Sequence, residues 1–153
     1  MLKERTAGYW TIMVIGILLL LELCIGQAMA WINYEFAVSI GLQESMEKVG
    51  ETLVAVNKGF GVGDTIVYIP ILILGLIGLW LRTNWGVTAM IAAMGITVYW
   101  PVTCMYILLY ARGIPGFNFT DFCSYGIILS AISCFGIWGM WYLNKNSKKL
   151  IKT

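Results

Sequence analysis

Residues 7–31 read AGYWTIMVIGILLLLELCIGQAMAW, and this run decides the fold. Apart from Glu22 it carries no charge, and Trp10 and Trp31 stand near its two ends. A helix of about 20 apolar residues, rising about 1.5 Å per residue, crosses a bilayer's apolar layer of about 30 Å. The run therefore predicts a transmembrane helix with its indoles at headgroup level. Three further runs meet the same test, at about residues 64–81, 85–110 and 122–143. The second carries Pro70 and the third Pro101, which a membrane helix tolerates where neighbours satisfy the freed carbonyl. Trp80 and Trp85 flank the turn after the second run, while Trp138, Trp141 and Tyr142 close the fourth.

Composition agrees. Of 153 residues, 59% are hydrophobic and 12% charged, against about a quarter charged in soluble domains. The net charge of +2 comes from basic residues gathered near the chain ends, a distribution that orients a membrane protein and offers no nucleic-acid surface. Lys3, Arg5, Arg82, Lys145, Lys148, Lys149 and Lys152 fall on one side, against Lys48, Lys58 and Arg112 on the other. The positive-inside rule then places both termini in the cytoplasm of a multi-pass cell-membrane protein. The basic tail could also meet anionic headgroups. Lys3, Arg5, the apolar run and Ala28-Met29-Ala30 imitate a cleaved secretory signal. The run exceeds the usual apolar core of about 7 to 15 residues, and Glu22 interrupts it, so retention is expected.

The long connection between the first two runs has a helical period. Leu42, Met46, Val49, Leu53 and Val56 recur at intervals of four and three, with Glu44, Glu47, Lys48 and Glu51 on the other faces. The spacing predicts an amphipathic helix over residues 40–58, capped by Ser39 and stopped at Gly59. Such a helix lies in the interface, lids the bundle or packs on another subunit. The glycine-rich residues 59–63 lack the lysine and hydroxyl of a phosphate loop. They read as a hinge, with Asp64 capping the second span. The Asn118-Phe119-Thr120 sequon precedes the last span, which Thr120 or Asp121 would cap. Ala89, Ala93 and Thr97 on the third span and Gly126, Ser130 and Cys134 on the fourth predict a tight antiparallel pair. The fold class expected is all-α integral membrane: a four-transmembrane-helix bundle with an additional amphipathic helix in the outer loop, as one domain over residues 1–153.

Glu22 asks for a function. A carboxylate within a span costs several kcal/mol unless protonated, paired or hydrated, and no Lys, Arg or His lies at matching depth in the other runs. A cavity opening outward would gather Glu22, Asp64, Tyr68, Tyr99 and Thr103 as ligand- or ion-binding residues, with Pro101 freeing a carbonyl among them. The bland alternative makes Glu22 a protonated hydrogen-bond donor between helices, worth about 1 kcal/mol or less.

The chain has no histidine, and its four cysteines form no Cys-x-x-Cys pair. That removes histidine-ligated haem, most zinc sites, imidazole-based triads and ordinary thiol exchange. An intramembrane enzyme is disfavoured because no nucleophile and base stand together, and neither a cofactor nor a metal centre is expected. A disulfide between Cys104 and Cys123, both toward the outer side, is the one covalent feature to test. In span number and in its acid in the first span, the chain is similar to the small multidrug resistance transporters. Its long outer loop and its aromatic and glycine pattern differ from theirs, and no function is carried over. Two roles follow: a protein that binds or transports a proton, cation or small amphipathic ligand around Glu22, or a non-catalytic accessory subunit joined to other membrane proteins or to further copies of itself. The lipid bilayer is a partner in both.

Overall fold

Each long apolar run folds as a helix, the conformation in which a single segment satisfies its own backbone N–H and C=O groups away from water. The computed structural model describes residues 5–152, and among them no strand occurs. Lys3, counted above with the orienting charges, lies outside the described residues. Five helices order the chain: α1 (Ala7–Ile32), α2 (Tyr34–Ser39), α3 (Met46–Trp80), α4 (Asn84–Tyr110) and α5 (Phe122–Leu150). All but α2 are long and apolar enough to cross a membrane.

Both chain ends meet the α3–α4 turn at one end of the bundle. The Arg5 guanidinium donates to the Trp80 carbonyl at 3.2 Å and lies over the Trp80 ring, 4.1 Å from its centroid. The Lys152 amide donates to the Arg82 carbonyl at 2.9 Å, and Thr6 meets the Tyr142 hydroxyl. The turn itself is closed by two backbone bonds, Arg82 N–H to Leu79 O at 3.1 Å and Thr83 N–H to Gly78 O at 2.9 Å. This is the Schellman arrangement, with Arg82 at φ 58° where a glycine is usual. Thr83 then caps α4, its hydroxyl accepting from Gly86 N–H at 3.2 Å and donating to Gly78 O at 3.0 Å. Gly78 and Gly86 allow backbone-to-backbone contact across the turn, since a Cβ on either would strike the other.

The core between the helices is built from Tyr9, Ile12, Leu23, Tyr68, Leu72, Leu79, Met90, Met94 and Leu143, all buried. α4 packs most extensively on α5 and on α3, so the expected pairing of the third and fourth runs is present. Its face on α5 is different from the one expected. Ser130 and Cys134 are exposed, whereas Ser133, Gly136 and Gly139 are buried, with Met94 and Val98 of α4 against the two glycines. Large exposed side chains such as Leu18, Ile66, Leu74, Ile127 and Ile137 form an apolar outside.

The connection after α1 departs from the expected amphipathic helix. Residues 40–45 turn, with Ser39 ending α2 instead of capping a longer helix. A helix starts only at Met46 and is broken at Gly50, whose φ of 77° and ψ of 161° suit glycine alone. It then runs without a hinge through Gly59, Gly61 and Gly63 into the second apolar run. Leu53, Val54 and Phe60 continue the apolar face that the bundle buries, and this outweighs the low helix propensity of the glycines. At that end of the bundle Val49, Val54 and Phe119 form a second small core with Tyr34, Phe122 and Tyr125. Asn118, from the sequon, ties the α4–α5 loop to α3 by donating its backbone N–H to Lys48 O at 2.6 Å and its amide to Glu47 O at 3.1 Å. Asp121 caps α5, accepting from Ser124 N–H at 3.4 Å.

Candidate functional site

Two turns in the bundle are wider than an α-helix, and an acid stands at the head of each. In α1 the residues after Glu22, Leu23–Gln27, form a π turn in which Ala28 N–H donates to Leu23 O. In α3 the π turn is Asp64–Tyr68, with Ile69 N–H donating to Asp64 O. The two wide turns pack on each other. Pro70 accounts for the second: it has no N–H for the Ile66 carbonyl, and its ring would collide there in a regular helix. The first is accommodated by Gly61, one turn before Asp64, because a Cβ there would strike the Gln27 carbonyl. The glycine that reads as part of a hinge is thus a packing notch for the widened α1. Single π turns of this kind recur at functional sites.

Glu22 and Asp64 are brought within electrostatic reach of one another. At about 1.5 Å per residue, Glu22 lies roughly 22 Å along α1 from its start and Asp64 roughly 24 Å along α3 from Trp80, so the depths match. The Glu22 carboxylate folds back over Gly26, where an added Cβ would be 3.0 Å from Oε1. Asp64 keeps only 5% of its surface exposed, and its Oδ2 has no hydrogen-bond partner among the described residues. Asp64 is therefore not the helix cap expected from sequence: it sits in the middle of a continuous helix, its backbone N–H bonded to preceding carbonyls.

Tyr68, one turn on from Asp64, is buried, and its hydroxyl meets Thr97 Oγ1 of α4 at 2.5 Å. Thr97 in turn donates to the Ala93 carbonyl at 2.9 Å. Four residues after Thr97 comes Pro101, fully buried, which has no N–H to give the Thr97 carbonyl. Of the residues expected around Glu22, the structure gathers Asp64 and Tyr68. Tyr99 and Thr103 are elsewhere. Tyr99 is 67% exposed on the outside of the bundle. Thr103 donates to the Tyr99 carbonyl at 2.9 Å and lines a separate open groove with Val102, Tyr106 and Tyr110. Helical phase explains the division. Trp100, Pro101 and Cys104 follow Thr97 by three, four and seven residues and share its face, while Tyr99 and Thr103, at two and six, do not.

A cavity of about 110 Å³ lies toward the loop end, lined by Gln27, Asn57, Phe60, Trp100, Cys104 and Leu108 among others. Neither acid lines it, but Cys104 in its wall lies within electrostatic reach of Asp64. The indole Nε1 of Trp100 is buried and unpartnered. Glu44 closes the cavity over the top. Its carboxylate accepts from the Tyr125 hydroxyl at 2.9 Å and from Lys48 at 2.9 Å, while Tyr34 donates to its backbone carbonyl at 2.8 Å. Gln27, Glu44 and Trp100 line this cavity without any sequence signal that would have singled them out. The four cysteines are free, Cys123 on the surface and Cys104 in the cavity wall, so the considered disulfide does not form.

Among the described residues no group of three His, Cys, Asp or Glu side chains could hold a metal ion. The arrangement defines an all-helical chain, with four helices long and apolar enough to cross a membrane, in which a buried Asp64 and a half-buried Glu22 stand at the meeting of two π turns. No known protein family, no curated protein and no solved structure matches the chain.

Proposed function

We propose that this is a small multi-pass protein of the cell membrane, both termini cytoplasmic, that binds or transports a proton, a cation or a small amphipathic cationic ligand at an intramembrane pocket around Glu22. One observation carries the reading: Asp64, almost wholly buried beside Glu22, has a carboxyl oxygen with no hydrogen-bond partner among the described residues. A buried acid oxygen without a donor costs about 1 to 3 kcal/mol, more when charged. Purely structural polar groups are normally satisfied, so the unmet oxygen supports a site completed by a proton or cation. The positive-inside rule supports an orientation with Arg5, Arg82 and the basic tail toward the cytoplasm and the cavity toward the outer side.

The full chain in phosphatidylcholine vesicles carrying an internal pH dye, given pulses of acid, then of sodium, potassium or tetraphenylphosphonium chloride, tests this reading. A response to at least one pulse is expected, lost in Glu22→Gln while the melting temperature in detergent stays nearly unchanged. Identical responses in both proteins, with a large loss of stability in the variant, would reduce Glu22 to an interhelical hydrogen bond.

A further inference from the structure

We infer that the Glu22–Asp64 pair takes up one dehydrated monovalent cation, held by oxygen atoms alone, in exchange for one proton. This rests on the carboxyl site proposed above and narrows its ligand to a chemical class.

The first argument is an inventory of protons. A hydroxyl has one hydrogen to give. Thr97 gives its hydrogen to the Ala93 carbonyl, so in the Tyr68–Thr97 contact Tyr68 is the donor. Neither hydroxyl has a hydrogen left for the acids. The Trp100 indole N–H has no acceptor, so it does not serve Asp64 either. The Gln27 amide and the Trp100 indole are the donors nearby, in the wall of the cavity; at the acids themselves stand acceptors: two carboxyl groups, the lone pairs of Tyr68, and the Thr97 carbonyl, to which Pro101 has no N–H to give. Hard oxygen donors suit alkali ions or ammonium, whereas a soft metal would call for the thiolate or imidazole set that is missing among the described residues.

Charge balance is the second argument. With no cation bound, two protonated carboxyls leave the site neutral. With one monovalent cation, one carboxyl keeps its proton, the other is a carboxylate, and the site is neutral again. One cation enters, one O–H bond breaks and one proton leaves, so neither state places net charge in an apolar layer. A divalent ion would displace two protons, but its dehydration cost is far larger and Mg²⁺ gives up water reluctantly. The titratable groups around the pair are Tyr68 and Cys104, with Glu44, Tyr125 and Lys48 across the cavity. The cavity of about 110 Å³, with Cys104 in its wall, lies on the loop side of the pair.

The test is carbodiimide labelling of the full-length protein in detergent, read residue by residue by mass spectrometry. Dicyclohexylcarbodiimide reacts with a protonated carboxyl and spares a cation-bound carboxylate. In choline chloride, Glu22 or Asp64 is expected to label. In sodium, potassium, lithium or ammonium chloride at equal ionic strength and pH, at least one salt is expected to cut that labelling about fivefold or more. The salt that protects distinguishes an alkali ion from ammonium. Tyr68→Phe keeps the ring and removes the oxygen, and the salt concentration that halves its own labelling in choline is expected to rise about tenfold; an unchanged protecting concentration overturns the place of Tyr68 among the ligands. Equal labelling in all salts overturns the cation exchange while leaving an intramembrane carboxyl site standing. Protection by magnesium or calcium chloride but by no monovalent salt overturns the ion class. Absence of labelling at both acids in choline overturns the inference together with the reading beneath it.

Discussion

Glu22 is legible in the sequence because it is one charge among leucines, and no alignment of faces is needed to see that it is out of place. Asp64 is not, because it follows a run of glycines and stands at the border of an apolar stretch, where an aspartate normally caps a helix. Only the structure shows the helix already under way at that point, with the carboxyl turned into the bundle and one oxygen unmatched. Tyr99 and Thr103 were placed by depth alone, and depth does not distinguish the faces of a helix. Counting from Thr97 by three, four and seven would have selected Trp100, Pro101 and Cys104 instead. Two residue-level outcomes follow. Asp64→Asn keeps the shape and removes the charge, and is expected to abolish the response to cations as fully as Glu22→Gln, as measured by uptake in vesicles; a normal response would exclude Asp64 from the site. Thr97→Val removes the acceptor for the Tyr68 hydroxyl in a buried place and is expected to cost about 1 to 3 kcal/mol in chemical denaturation, with a change near zero contradicting the buried bond.

At the scale of elements, composition and length locate the four long helices, because about 20 apolar residues have few other uses. Their true lengths are less visible. Residues 46–63 have an amphipathic period and a glycine cluster, which read alone as a separate surface helix and a hinge. Packing against α1 makes the part beyond the break at Gly50 continuous with the second apolar run, up to Trp80. Gly61 is where this is decided, since it admits the Gln27 carbonyl of the widened α1 turn. Gly61→Val should force the two helices apart and lower stability by about 1 to 3 kcal/mol, as overpacking does, while Gly59→Ala, with open space around it, should not. Equal melting temperatures for the two variants would contradict the notch. The α3–α4 turn makes a separate claim: Thr83→Ala removes both the cap of α4 and a bond to Gly78 and should cost about 1 kcal/mol in the same measurement, no loss being the contrary result.

For the whole molecule, the chain ends and the α3–α4 turn share one end, and the two loops that close the cavity share the other. One end holds the contacts of Trp80, Tyr142 and Arg5, and the other holds a small cavity lined by Gln27, Glu44 and Trp100. Glu22 and Asp64 are proposed to form together a binding site for a small cation. Melting of the purified chain in detergent, across a series of sodium, potassium, lithium, ammonium and choline chlorides, tests it most directly, because a ligand that binds only the folded protein raises its stability in proportion to the logarithm of its concentration. A salt-specific rise in melting temperature is expected for the parent protein and none for Glu22→Gln, with both melting alike in choline. An identical response of the two proteins to every salt would contradict it.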